Sequence, residues 1–330
     1  MIFGRLILKL GSLLFLFLVG SSILAVQKTD PLGTPYIRNY SPTEYTSHAC
    51  NWSVVQDKNG ITYFANNDGL LEFDGRNWAQ IKIRNRYIRS LAIGPTGTVY
   101  VGGSEEFGFL ASNALGQHIY VSLLPKLVRT DLNLLDIMKI VTTSHGIYFL
   151  SAKSIFRLID ERIEIIPLKM FDRYGFNIRD DLFVIQSEKG ITHVRAGQMQ
   201  LLPHTRRFTI SETGNMLILP YLERKLLLID IVDQGKFYIY DLNPFYDAAS
   251  GGYDFSQAST VETIITPLLS EVSSYISANG NLLYDGILLP NDRYALATMN
   301  GGIVIIDDRG RLLQVINKNR GLLSNYVTSL

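Results

Sequence analysis

Only one cysteine, Cys50, stands in 330 residues. No internal disulfide can form, so the fold must be held by its hydrophobic core. Neither sign of charge dominates. Lys and Arg number 31 against 30 Asp and Glu, a net charge of +1. The broad basic field that nucleic-acid binding needs is therefore missing. The chain also lacks a phosphate-binding glycine loop closed by Gly-Lys, a Gly-x-Ser-x-Gly nucleophile elbow and a His-Glu-x-x-His zinc motif. Nucleotide, serine-hydrolase and zincin chemistry thus have no footing in the sequence. The five histidines, His48, His118, His145, His193 and His204, are scattered without ligand spacing. They read as satisfied polar residues, and Cys50 as a structural thiol. No cofactor or metal is expected.

What the chain does contain is short apolar runs cut by tight turns. Ser53–Gln56, Ile61–Ala65, Leu70–Phe73 and Trp78–Ile81 are strand-like. Between them lie Asp57-Lys58-Asn59-Gly60, Asn66-Asn67-Asp68-Gly69 and Asp74-Gly75. Glycine takes the positive φ of a tight hairpin, and the Asn or Asp before it bonds its own backbone. A second copy spans Ile88–Val121, and another clear one spans Gly286–Ile316. One four-stranded meander cannot bury both faces, so copies must stack. Four-strand repeats of roughly 40–50 residues are the mark of a β-propeller. The fold class is therefore all-β, a propeller of four-stranded antiparallel blades. Tyr63, Tyr100, Tyr148, Phe183, Leu217 and Tyr294 align as second-strand positions of six blades. The long step from Leu217 to Tyr294 reads as one unit with an insertion over Pro244–Ser274, in which Ser259–Ile276 is a candidate short helix.

The start of the chain is of another kind. Arg5 and Lys9 precede the apolar Leu10–Val19 and the small-residue end Gly20–Ala25. That is the build of a secretory signal peptide over residues 1–25, so the rest is exported. Residues 26–52 are a linker and lead-in, with Asp30–Pro35 rich in Pro and Gly. Residues 53–330 are the propeller. At the other end, Gly321–Leu330 opens a further first strand without partners. The ring therefore reads as an incomplete seven-bladed one, with bare apolar faces on blades one and six and a second copy as one way to cover them.

Loops joining second to third strands share an end of the ring with the links between blades. Ligands of propellers gather where such loops converge. This places Asn66, Asn67 and Asp68, the linker residues Arg84, Arg86 and Arg89, and Glu105 and Glu106 on one face as candidate ligand contacts. Each also has a plainer reading as a turn or solvated loop residue. Glu105 and Glu106 do not form a glycosidase pair, because neighbours on an extended chain point apart. Trp78 is expected to pack between neighbouring blades.

A family resemblance rests on particular runs. Pro35-Tyr36-Ile37-Arg38-Asn39-Tyr40-Ser41-Pro42, Asn51–Asp57, Tyr63–Asn66 and Gly69–Gly75 resemble the sensor regions of two-component regulator propeller proteins. So does Gly321-Leu322-Leu323-Ser324-Asn325-Tyr326-Val327-Thr328-Ser329-Leu330. Tyr63 stands where that family usually has Trp, and Asn66 near its Gly-Thr. The resemblance implies an extracytoplasmic, periplasmic sensor that binds a ligand such as an oligosaccharide. It also implies relay to a triple-tyrosine immunoglobulin-like domain, a membrane span and a kinase or DNA-binding output further along. The rival readings are a secreted propeller lyase or glycosidase and an adhesion or scaffold module.

Overall fold

The turn chemistry read from the sequence recurs in a computed structural model of the chain. It describes residues 33, 35–84, 87–127, 136–168, 170–208, 216–230, 235–256, 264–278 and 282–330, without the side chains of 170–174. The signal-peptide segment lies outside these residues, as does Arg86. In the first hairpin, Asp57 Oδ1 accepts from the backbone N–H groups of Asn59 and Ile61, both at 2.9 Å, and Gly60 has φ 84°. Asn113 Oδ1 does the same for Leu115 and Gln117, and Asp307 Oδ1 for Arg309 and Arg311. One side-chain oxygen thus closes three loops of equal build in different blades, each by a bond local in sequence.

Among the described residues there are six four-stranded antiparallel sheets. Blade one is β1 (Asn51–Gln56), β2 (Thr62–Asn66), β3 (Gly69–Phe73) and β4 (Trp78–Ile81). Blade two is β5 (Ile88–Ile93), β6 (Val99–Gly103), β7 (Glu106–Ser112) and β8 (His118–Ser122). Blade three is β9 (Lys139–Thr143), β10 (Gly146–Leu150), β11 (Ser154–Ile159) and β12 (Arg162–Pro167). Blade four is β13 (Met170–Ile178), β14 (Asp181–Gln186), β15 (Gly190–Arg195) and β16 (Gln198–Leu201). Blade five is β17 (Met216–Tyr221), β18 (Lys225–Asp230), β19 (Lys236–Asp241) and, after a two-stranded hairpin β20 (Tyr246–Asp247) and β21 (Gly252–Tyr253), β22 (Ile265–Leu268). Blade six is β23 (Leu283–Leu289), β24 (Arg293–Thr298), β25 (Ile303–Ile306) and β26 (Leu312–Ile316). The first strands follow one another around the axis, β1 against β5, then β9, β13, β17 and β23. The molecule is a β-propeller.

Among the described residues, five apolar cores lie between successive blades. Tyr63, Tyr148, Phe183 and Tyr294, on the second strands of four blades, are fully buried in them. Each such side chain withdrawn from water contributes about 1.5–3 kcal/mol. The sixth junction is built differently. Thr328 Oγ1 donates to the Asn51 carbonyl at 2.7 Å, and the Leu330 N–H to Asp285 Oδ2 at 3.2 Å. The terminal segment therefore spans from the first strand of blade one to that of blade six. Asn39 Nδ2 donates to the Gly321 carbonyl at 2.8 Å and ties the lead-in to the same segment.

Four expectations change. Leu217 lies on β17, the first strand of its blade, and the second strand is β18. Ahead of β17, Arg206–Phe208 is a short 3₁₀ turn whose Phe208 is buried in the core of blades four and five. The candidate helix over Ser259–Ile276 divides instead. Its β-branched Ile265–Leu268 is the outer strand β22, and α2 covers only Val272–Ala278, while 257–263 lie outside the described residues. Trp78 does not pack between neighbouring blades. It is half-buried and opposes Phe73 on the side of blade one turned away from blade two. There it stacks on Phe73 with ring centroids 4.4 Å apart, under Tyr40 and Tyr45 of the lead-in. That face of blade one is thus covered, not bare. Tyr45 comes from α1 (Pro42–Tyr45), whose start is held by Glu44 Oε2 accepting from the Ser41 N–H at 2.7 Å.

Candidate functional site

At the end of the ring where the first strands begin, side chains from several blades meet. Arg89 enters on β5. Its guanidinium lies 4.6 Å from the Trp52 ring centroid and 5.7 Å from that of Tyr87. The Trp52 indole N–H donates to Asn67 Oδ1 at 2.8 Å, and Arg89 Nη1 donates to the same oxygen at 3.3 Å. Arg89 Nε is 3.8 Å from Asp136 Oδ2, beyond hydrogen-bond reach, and is buried without an acceptor. Asp136 accepts from Ser104 Oγ through its other oxygen at 2.8 Å. Cation–π stacking and one amide oxygen hold the guanidinium plane, while one of its N–H groups is left unused.

The cluster borders a narrow axial cavity of ≈ 50 Å³. Every blade's first strand contributes to its wall, among them Trp52, Arg89, Lys139, Phe176, Leu217 and Asp285, and Thr328 adds the terminal segment. A wider cavity of ≈ 370 Å³ follows toward the other end, and Lys139 and Asp285 line both. The axis therefore carries opposite charges on facing strands.

The expected contacts divide. Asn67 and Arg89 come together as described, and Ser104 joins them through Asp136. Asp68, Arg84 and Glu105 are exposed, with Glu105 in a turn at φ 53°. Arg86 lies outside the described residues. Asn66 and Glu106 are turned inward and offer a ligand nothing. Asn66 is fully buried; its amide donates to the His48 carbonyl at 2.6 Å and Asn51 Oδ1 at 2.8 Å. Glu106 Oε1 is buried within blade two and accepts from Tyr120, Ser122 and the Phe107 N–H. Burial and this carboxylate together push the Tyr120 phenol far above its ordinary range. Trp52, Lys139, Asp136 and Asp285 were not legible as site residues. Only the register of β1, β9 and β23 about the axis could have found three of them.

No protein-family model matches the sequence. No curated protein matches it either. Solved structures of the same class, β-propellers, match it over most of its length. The extracellular domain of a hybrid two-component system from B. thetaiotaomicron superposes with TM-score 0.59 at 14% identity, over 89% of this chain and 39% of that one. That of a second such system gives TM-score 0.53 at 14% identity, over 84% and 35%. These are proteins of the kind whose sensor region the sequence resembles. The chain spans well under half the length of either. Virginiamycin B lyase from Staphylococcus aureus gives TM-score 0.53 at 11% identity, over 79% and 82%. At such identities the likeness is one of fold.

Proposed function

We propose that the chain is an extracytoplasmic sensing propeller. It receives a ligand at the axial mouth and relays occupancy to a downstream output module, as in the two-component proteins it resembles. The observation that carries this reading is the half-buried Arg89 guanidinium: stacked on Trp52, its Nε–H without an acceptor, and set where all six first strands converge. An arginine held flat with an unused donor is prepared for an oxygen-rich group. Trp52 and Tyr87 beside it offer apolar faces, and Asn67 an amide. An oligosaccharide suits that mixture, and the balanced charge of the chain gives nucleic acid no hold. The role is binding and relay rather than catalysis. A propeller lyase shares the fold, but its chemistry does not follow from the fold.

Isothermal titration of the exported chain against a panel of neutral and acidic oligosaccharides tests the reading. Arg89→Lys keeps the charge and loses the planar fork, so affinity for the bound member should fall at least about tenfold, the loss of one charge-assisted hydrogen bond. Trp52→Phe should weaken it less. Affinity unchanged in Arg89→Lys and Arg89→Ala alike would remove the axial mouth as the ligand site.

A further inference from the structure

The strand register of blade four sets an unusual row of polar side chains against blade five. Leu182 pairs with Val194 and Phe183 with His193, so Asp181 stands opposite Arg195. On the next strand His193 pairs with Gln200 and Arg195 with Gln198. Side chains alternate across a sheet, so Asp181, His193, Arg195, Gln198 and Gln200 share one face with Phe183. Phe183 belongs to the core between blades four and five. Toward the rim, apolar packing gives way to this polar row.

Two of its members are buried without being satisfied. The Asp181 and His193 side chains are 5% and 4% exposed. His193 Nε2 and Asp181 Oδ2 are 3.1 Å apart but are not aligned for a hydrogen bond, and neither Nε2 nor Asp181 Oδ1 has a partner. The sequence expectation that His193 is a satisfied polar residue therefore fails. Arg195 Nη1 lies 3.5 Å from Asp181 Oδ2 and donates to the Gly251 carbonyl at 2.6 Å. A buried acceptor or donor left unmade is destabilising, so its presence calls for a reason. Nothing in the propeller architecture calls for these groups, since Val184 and Val194 fill the opposite face of the same blade with an apolar core.

The insertion of blade five closes over this row. Tyr253 on β21 meets the His193 ring edge-on at 5.5 Å and 85°, and Phe255 does so at 6.0 Å and 70°. Between blade and hairpin is a cavity of ≈ 400 Å³. His193, Arg195, Gln198 and Gln200 form its blade side, and Ser250, Tyr253 and Asp254 its hairpin side. That volume lies within the range of about 300–1,000 Å³ typical of small-ligand sites. Asp181 behind the wall and Asp254 in it oppose Arg195, so an anion gains little here. The amides and the serine hydroxyl both donate and accept, and the aromatic wall suits the apolar face of a ring.

We infer that this pocket between blade four and the β20–β21 hairpin is a second ligand site, separate from the axial mouth, for a small uncharged ring bearing several hydroxyl groups. Its hydroxyls would meet Gln198, Gln200 and Ser250 in the cavity wall, and its ring face would lie against Tyr253. The hairpin would then close more tightly on occupancy. This site stands on its own geometry and does not depend on the axial reading.

The test uses the whole exported chain with glucose, galactose, fructose and myo-inositol as probes, and glucuronate and choline as charged controls. Saturation-transfer NMR and thermal melting report binding. At least one uncharged probe should bind and raise the melting temperature. Gln198→Ala and Ser250→Ala, both in the cavity wall, should each weaken that probe at least tenfold while the protein stays folded. Arg89→Ala, far around the ring, should leave it unchanged, so loss of the axial reading and loss of this one are separable. Binding by none of the uncharged probes, binding of glucuronate or choline alone, or binding that survives both Gln198→Ala and Ser250→Ala would overturn the proposal.

Discussion

Asn66 and Asn67 are neighbours in one loop with opposite fates. Asn66 faces inward, and its Oδ1 accepts from Ser47 Oγ and the Asp68 N–H, both at 2.9 Å, in addition to the two bonds its amide donates. Two of these four bonds, to Ser47 and His48, pin the lead-in to the β2–β3 turn; the others reach Asn51 on β1 and Asp68 within the turn. Asn67 faces the axis and supports Trp52 and Arg89. Asn66→Ala leaves several buried partners unmade and should cost about 2–4 kcal/mol, read as a shift in urea midpoint at constant slope. Asn67→Ala, at a half-buried position, should cost about 1 kcal/mol or less and act instead on ligand affinity. Equal losses of stability in the two variants would contradict this division.

The β20–β21 hairpin is closed by a carboxylate and is therefore sensitive to acid. Asp247 closes it by accepting from the Ala249 N–H at 3.0 Å and the Ser250 N–H at 3.3 Å. Hydrogen bonds from the Ser250 side chain and then from the Ala249 backbone hold its carboxyl below the usual range. A carboxylate with a lowered folded value stabilises above its unfolded pKa of about 4, and that contribution is lost as pH falls through the lower folded value. Amide protection over residues 246–253, taken relative to the intrinsic exchange rate at each pH, should therefore fall below about pH 4, before the blades open. The β-strands next to it, without such a carboxylate, should keep their protection; simultaneous loss across blade five would show that the hairpin has no separate stability.

At the scale of the ring, the sixth junction differs from the other five. Blade one meets the lead-in through Tyr40, Tyr45, Phe73 and Trp78, and blade six meets the terminal segment, where Val327 N–H donates to the Thr298 carbonyl at 3.0 Å. Tyr45 is buried although it precedes the first strand. Tyr45→Ala and Trp78→Ala should each destabilise by about 2–4 kcal/mol, as removal of large aromatics from packed sites does. The double variant should fall short of their sum by about 0.5–1.5 kcal/mol, the worth of an aromatic pair. Strict additivity would mean that the lead-in does not seal the face of blade one. A sizing column run on Trp78→Ala should also show self-association, since the substitution bares apolar surface.

Much of this architecture was legible because its causes are local. Asp57, Asp74, Asn113 and Asp307 bond backbone groups two to four residues on, so the hairpins follow from short stretches of chain. Alternation of apolar side chains then makes blades, and blades with two apolar faces must stack. The sequence also placed Asn67 and Arg89 at one end of the ring, since that follows from loop order alone. Which side chains face a ligand is another matter. Asn66 and Asn67, or Glu105 and Glu106, differ only in direction, and direction is set by strands distant in the chain. Leu217 was misplaced because an apolar run reads alike as a first or second strand until its partners are known. His193 looks like any scattered histidine; only the register of β14 and β15, and an insertion some fifty residues on, bury it beside Asp181. Local bonding fixed the strands and turns, and packing between blades decided which polar groups were left for function.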